Sequence, residues 1–335
     1  VRTYYYIWQL ALRRRSKELQ KAIGFDIAHH LTFGNFSFPA GICLANIPFV
    51  WGPIGGVDRI PESLKSELSL KGQLFETLRD ISHKIFFNID PLVGMTLRRA
   101  RIILCRTRET QKFISGRNSD KHTGLILETG KPYVPHLKTT IKSGGADDET
   151  NILFSGRLIP LKGVSLALKA FKIFSDNHTN AAFHIVGDGY EKQNLLRLTE
   201  HLGLSDRVIY WGALARHAAL TKVKACDIFL YPSLREGGTW SLMEAMALEK
   251  PVICLDHSGP GEMVTDECGI KVKPSNPEQT IKDLSDALLK LANDPELRKR
   301  MGAAGRKRVV EHYTWERKGE FIKKVYEEVL SREIS

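Results

Sequence analysis

Residues 227–247 read DIFLYPSLREGGTWSLMEAMA, and the fold turns on how this stretch is read. The apolar run 227–231 predicts a buried strand, and residues 240–248 predict a helix. Between them lies a short loop holding Arg235, Glu236, Gly237, Gly238 and Thr239. A glycine pair ahead of a helix leaves backbone N–H groups uncovered at the positive end of the helix dipole, and Thr239 is placed to act as N-cap. A corner of this kind accepts anions. Glu236 in the loop and Glu244 in the second helical turn stand eight positions apart. An ordinary strand–turn–helix corner has no need of that pair.

The same rhythm extends in both directions. Upstream, residues 151–155 (NILFS) predict a buried strand and 164–175 an amphipathic helix, with Gly156, Arg157 and Lys162 in the loop between. Cations at the carboxyl end of such a strand stand where doubly wound folds bind ligands. Arg grips phosphate oxygens in a bidentate way, and Lys acts as a point charge. The strand 181–186 runs into Gly187, Asp188 and Gly189, a tight turn near the ligand. It lacks the third glycine of a dinucleotide fingerprint, so it is not read as a nicotinamide site. A helix over 191–202, a strand over 207–211 and a helix over 216–225 follow. Downstream come a strand at 251–255, the turn DHSGPGE at 256–262, and helices at 277–293, 295–312 and 315–330. This alternation predicts a parallel sheet with helices on both faces.

The first half is less regular. Residues 4–23 predict a helix, and 25–29 (FDIAH), 48–51 (PFVW) and 101–105 predict strands. Residues 139–150 are polar, contain glycine and lack apolar periodicity, which marks a linker. The expected domains are 1–145, 146–314, and a C-terminal helix at 315–335 that crosses back to the first.

Composition sets limits on function. With 335 residues, 42% of them hydrophobic and 26% charged, the chain is long enough for two folded domains and is not a disordered one. The net charge of +11 is uneven: residues 1–150 hold 22 Lys/Arg against 14 Asp/Glu, the remainder 27 against 24. A basic first half suits phosphate-bearing partners. The tyrosines at 4–6, followed by Arg13, Arg14 and Arg15, make an anionic membrane surface one candidate. Nucleic acid is not expected, because no aromatic–basic RNA motif or recognition helix accompanies the charge. Five scattered cysteines without a C-x-x-C pair argue against a disulfide framework and a structural zinc site, and point to a reducing cytoplasm. No uninterrupted apolar run reaches the roughly 18 residues that span a bilayer. The expected location is cytoplasmic, with a peripheral position on the inner membrane face as a further candidate.

In order and spacing, GRLIPLKG (156–163), VGDGYE (186–191), the 227–247 stretch and PVICLD (251–256) resemble the donor domain of glycosyltransferase family 4. The resemblance covers residues 151–273 and extends more weakly over 25–56. It implies an α/β GT-B fold: two Rossmann-like doubly wound domains facing a cleft. The family's first domain opens with a strand and a Gly-rich loop that have no counterpart before Tyr4, so that domain is expected to be truncated. The resemblance further implies that Arg157 and Lys162 neutralise a donor diphosphate and that Glu244 holds the ribose hydroxyls. Glu236 would face the transferred sugar, with Gly237, Gly238 and Thr239 giving amide contacts and Gly156, Gly187 and Asp188 beside the donor. Where many relatives place a first-domain histidine, this chain reads WGPIGG (51–56). His29, His30, Gly55 and Gly56 are therefore the acceptor-side candidates. No Asp-x-Asp metal motif is evident, so no metal and no cofactor is expected beyond a UDP- or GDP-sugar donor. The implied activity is transfer of a hexose-type sugar, with retention, to a glycan or lipid-linked acceptor of the cell envelope or an exopolysaccharide. Two alternatives stay open: a non-catalytic nucleotide-sugar or polyanion-binding protein, and a sugar-nucleotide epimerase of the same fold.

Overall fold

The computed structural model describes residues 2–117, 122–132 and 149–334. Of the linker expected at 139–150, only the last two positions fall among these, and the 145/146 boundary lies outside the described residues. The chain divides into two compact units. One comprises Val1–Arg59, Leu74–Glu128 and Lys318–Ser335, the other Ile60–Gln73 and Thr129–Arg317.

The first half of the chain forms α1 (Arg2–Ile23), β1 (Ala28–His30), β2 (Phe49–Ile54), α2 (Leu70–Ile89), α3 (Pro91–Arg99), β3 (Ile102–Cys105), α4 (Arg108–Arg117) and β4 (His122–Leu125). The four strands are parallel, in the order β1-β2-β3-β4. Alternation along β2 and β3 sends Phe49, Trp51, Ile54, Ile103 and Cys105 into one core with Phe36, Phe87 and Val93. Val50, Ile102 and Leu104 face the other way and meet Val325 and Val329 of the chain's last helix, Trp315–Ile334. Both faces of the sheet are thus covered, as a parallel sheet requires. The start of α3 is set by Asp90, whose carboxylate accepts from the amides of Leu92 and Val93, with Pro91 at the first helical position.

His30 ends β1 and is buried. Its Nε2 faces Tyr5 Oη at 3.4 Å, and that hydroxyl donates to the Pro39 carbonyl at 2.7 Å. Burial, reinforced by His29, pushes the His30 imidazole down to about 4. An unfolded histidine titrates near 6.5. Below that pH the unfolded chain takes up a proton that the folded one refuses, so stability falls as pH drops from 6.5 towards 4. His30→Gln is expected to remove about 2 kcal/mol of the stability lost between pH 7 and pH 5. Urea unfolding at the two pH values measures it, and identical pH slopes for both proteins would refute the assignment.

The second unit holds β5 (Thr150–Ser155), α5 (Val164–Asn177), β6 (Ala181–Val186), α6 (Lys192–His201), β7 (Val208–Gly212), α7 (Arg216–Ala225), β8 (Ile228–Tyr231), α8 (Trp240–Ala247), β9 (Val252–Leu255), α9 (Ser258–Met263), β10 (Gly269–Val272), α10 (Pro277–Asn293) and α11 (Pro295–His312). Its six strands are all parallel, in the order β10-β9-β8-β5-β6-β7. Counted from β5 within the unit this is the 3-2-1-4-5-6 order of a doubly wound fold. The strand order reverses between β5 and β8. Ligands bind such sheets outside the carboxyl ends of the strands at that reversal.

The core explains why the rhythm of the sequence translates so directly. β8 and β9 are buried along their whole length. α5 buries Leu166, Ala167, Phe171 and Phe174 and packs on α10, while α11 packs on α8. Asn276 and Asp294 cap α10 and α11 through their side chains, each followed by a proline. The short 3-10 turn Glu62–Glu67 joins this unit although it comes early in the chain. Glu67 receives Lys169 Nζ at 2.9 Å and Ser165 Oγ at 3.2 Å. β4, β10 and α9, together with α2, α3 and α4, are elements beyond those that the sequence pattern predicts. All five cysteines are buried and free. Among the described residues no helix is long and apolar enough to cross a membrane.

Candidate active site

The loops after β5 and β8 flank the strand-order reversal, and they are bonded to each other. Leu161 O accepts from Leu234 N at 2.9 Å and from Ser233 Oγ at 3.0 Å. This brings Lys162, from the first loop, onto Glu236 of the second. The ammonium forms an ion pair with Glu236 Oε2 and donates to Tyr231 Oη at 3.0 Å. Tyr231 Oη in turn donates to Glu236 Oε2 at 3.3 Å. Tyr231 ends β8, is buried, and its ring stacks on Phe154 with centroids 5.7 Å apart. The hydroxyl is therefore a fixed point on which the ion pair is organised.

Thr239 occupies the N-cap position of α8, but its side chain makes no capping bond. Its hydroxyl instead donates to Tyr231 Oη at 3.3 Å and pairs with Ser241 Oγ at 3.2 Å. It is thus part of the Tyr231 cluster. Gly237 and Gly238 lie in the loop between, and the peptide of Glu236 is held by Gly259 N at 2.9 Å from the first turn of α9. Arg157 is exposed, and its guanidinium makes no hydrogen bond or ion pair with the described residues. Gly156 beside it donates to Val186 O at 2.9 Å, and Leu158 N donates to Asp188 O at 2.9 Å. Gly187 and Asp188 thereby form a third loop laid against the first. The Asp188 carboxylate is exposed and held below its usual range by the Gly189 amide and then by Lys192.

Glu244 sits apart from that cluster, in the second turn of α8, with cations that carried no motif. Lys131 Nζ donates to its Oε1 at 2.8 Å. Arg216, the first residue of α7, places Nε at 3.0 Å and a terminal nitrogen at 2.9 Å on the same oxygen. Lys131, Arg216 and Tyr231 thus join the candidate site without a motif of their own. Arg216 follows β7 and could have been found by the rule that flagged Arg157. Tyr231 was hidden as one more apolar strand residue. Nothing in the sequence around Lys131 marks it.

The acceptor-side candidates lie in the first unit. His29 Nε2 donates to Gly52 O at 2.8 Å, and its Nδ1 accepts from Tyr326 Oη at 2.8 Å, so both ring nitrogens are engaged. Burial lowers its pKa, consistent with a neutral ring. His30 is the buried ring described above. Gly55 bonds Gly34 O through its amide at 2.8 Å and lies under the Arg106 side chain, which is held by Glu128 at 3.0 Å. Gly56 abuts Asn35. Among the described residues no group of three or more His, Cys, Asp or Glu could hold a metal ion.

Comparison with known proteins fits this geometry. Residues 138–308 match the family described as glycosyl transferases group 1. The chain is 32% identical over 207 residues to the GDP-mannose-dependent monoacylated alpha-(1-6)-phosphatidylinositol monomannoside mannosyltransferase of Corynebacterium glutamicum, which covers 59% of this chain and 53% of that protein. It is 27% identical over 186 residues to the alpha-D-kanosaminyltransferase of Streptomyces kanamyceticus, covering 55% and 47%. The chain spans about half the length of the curated relatives it matches. Among solved structures, the lipopolysaccharide outer core galactosyltransferase WaaB superposes with a TM-score of 0.68 at 16% identity, covering 96% of this chain and 81% of that one. Anabaena HepE in complex with UDP gives 0.66 at 15% identity, covering 96% and 82%. At such identities the likeness speaks for the fold alone. The family match contains both loops at the strand-order reversal and both glutamates, and the chain belongs to the glycosyl transferases group 1 family, with the α/β GT-B fold.

Proposed function

We propose that the protein is a glycosyltransferase that moves a hexose-type sugar from a nucleoside-diphosphate sugar to a glycan or lipid-linked acceptor. The observation that carries this reading is the Lys162–Tyr231–Glu236 cluster at the carboxyl ends of β5 and β8. An ammonium has three N–H donors. Two are engaged by Tyr231 and Glu236, and the third is available to a phosphate oxygen. Arg157, on the same loop and without a partner among the described residues, supplies a second cation. Loss of a nucleoside diphosphate builds negative charge, and fixed cations stabilise it where it develops.

In this reading Glu244 takes the donor's ribose hydroxyls and Glu236 faces the transferred sugar. The names of the relatives keep both UDP- and GDP-sugars open as donors. We place the reaction on the retaining course. The bond from the anomeric carbon to the leaving phosphate breaks, and a bond to the acceptor oxygen forms on the same face. The acceptor's proton passes to the departing phosphate oxygen. Arg157 and Lys162 neutralise that phosphate without any metal.

The test is product analysis with labelled UDP- and GDP-hexoses, with donor hydrolysis as the acceptor-free readout. Transfer or hydrolysis giving the retained anomer supports the proposal. Binding without turnover identifies a binding protein, and a nucleotide sugar altered in its stereochemistry identifies an epimerase. Arg157→Ala is expected to lower turnover about a hundredfold. Undiminished turnover in that variant would remove Arg157 from the mechanism.

A further inference from the structure

Lys131 belongs to no motif, yet its backbone and its side chain are both fixed. Its amide donates to Tyr313 O at 2.8 Å, and its carbonyl accepts from Trp315 N at 2.8 Å. These bonds form an isolated parallel bridge with Thr314. The side chain leaves from that anchored point and delivers Nζ to Glu244 Oε1 at 2.8 Å. Arg216 adds two donors to the same oxygen. The ring of Trp240 lies 5.2 Å from the Lys131 ammonium and 5.7 Å from the Arg216 guanidinium. Three charge-assisted bonds therefore converge on Oε1, whereas Oε2 has no partner among the described residues. The two carboxylate oxygens are equivalent, so what the three bonds fix is the place and plane of the group, with one oxygen held and the other left open.

The two cations are not equivalent. The Arg216 side chain is 64% exposed, so its pair is screened and adaptable. The Lys131 side chain is 7% exposed, and burial lowers its pKa against the opposing pull of Glu244. A buried, backbone-anchored contact defines a direction that an exposed one does not.

We infer that Lys131 is a positioning residue of the donor site, holding Glu244 by Oε1 so that Oε2 is presented to the vicinal hydroxyls of a nucleoside diphosphate. This rests on the reading of Glu244 as the acid that takes the donor's ribose. The hydrogen-bond partner of the Lys131 ammonium is that carboxylate. Its effect therefore resides in how much the two ribose hydroxyls contribute to binding.

That contribution is measurable by calorimetric titration of UDP and GDP, each against its 2′,3′-dideoxy counterpart. The proteins are wild type, Lys131→Met, Lys131→Arg and Glu244→Gln, with folding checked by circular dichroism. Wild type is expected to prefer the ribo form by about tenfold or more, the range of a charge-assisted hydrogen bond. Lys131→Met should lose most of that preference while binding the dideoxy form as wild type does. Lys131→Arg should keep part of it, and serves as the informative variant if the Met protein does not fold. Glu244→Gln should resemble Lys131→Met. An unchanged ribo-to-dideoxy ratio in folded Lys131→Met, or an equal loss for both forms, overturns the inference while leaving the role of Glu244 standing. A wild-type protein that binds ribo and dideoxy forms alike, or binds neither nucleotide, overturns the reading of Glu244 itself and the inference with it.

Discussion

Lys162→Met is expected to lower donor turnover by about two to three orders of magnitude, because it removes a cation that the proposed mechanism places, held by Tyr231 and Glu236, where phosphate charge develops. Methionine is unbranched and stops one atom short of the ammonium, so the turn that carries residue 162 has no steric reason to move. What disappears is the charge and the bond to Tyr231 Oη. A stability cost accompanies this. The Lys162 side chain is 10% exposed and that of Glu236 23%, so the abandoned carboxylate keeps partial access to water and the Tyr231 hydroxyl. The expected destabilisation is about 1–3 kcal/mol, below that of breaking a fully buried pair. The double variant Lys162→Met/Glu236→Gln removes both charges and should recover most of that stability without recovering turnover. Urea unfolding and single-turnover donor hydrolysis read the two effects separately. Near-normal turnover in Lys162→Met, or its return in the double variant, would exclude Lys162 from the chemistry.

Those expectations depend on contacts that the sequence displays very unequally. In the second unit most elements announce themselves locally. The caps Asn276 and Asp294, each followed by proline, set the starts of α10 and α11 at the residues read from the sequence. β6 and α7 span the residues read from the sequence, β6 between the polar stretches 177–180 and 187–189. β10 was missed because only its two end residues are buried, which leaves no apolar run to detect. β4 has no buried residue at all. α2 was missed for a different reason. Leu70, Leu74, Leu78, Ile81, Ile85 and Ile89 do recur at helical spacing, and Asp90-Pro91 follows the helix, but the recurring residues are exposed, so their stripe is not a core face. In the candidate site, Arg157, Lys162 and Glu236 stand out in the sequence because strand-to-helix loops at carboxyl ends follow a rule, and Glu244 because it lies in the helix that follows such a loop. Lys131 lies 113 positions from the carboxylate it holds, and a long-range pair of that kind leaves no local trace. Thr239 shows the limit from the other side. Position marks it as a cap, and only the nearby Tyr231 hydroxyl decides that its side chain turns elsewhere.

Gly163→Ala should destabilise the protein by about 3 kcal/mol, roughly three times the effect of Gly203→Ala. The two glycines have the same left-handed backbone, with φ of 65° and 66°, so the strain of placing an L-residue there is common to both. That shared strain costs about 1 kcal/mol. They differ in what a methyl group would meet. Around Gly203 there is open space within 4 Å, whereas at Gly163 the new carbon would strike the carbonyl oxygen of Pro232, just beyond β8. That carbonyl cannot retreat freely. The adjacent residues Ser233 and Leu234 are tied to Leu161 O, so the loops after β5 and β8 would have to separate. Overpacking of this kind adds about 1–3 kcal/mol to the strain. Separation would also carry Lys162, the neighbour of Gly163, away from Tyr231 and Glu236. Turnover should therefore fall about tenfold or more in Gly163→Ala, since small misplacements at a reacting centre are costly, and stay at the wild-type level in Gly203→Ala. Equal unfolding midpoints for the two variants would mean that backbone strain alone is at work and that the loops are not locked together at residue 163. The cation at 162 would then owe its position to its own side-chain bonds rather than to the glycine that follows it.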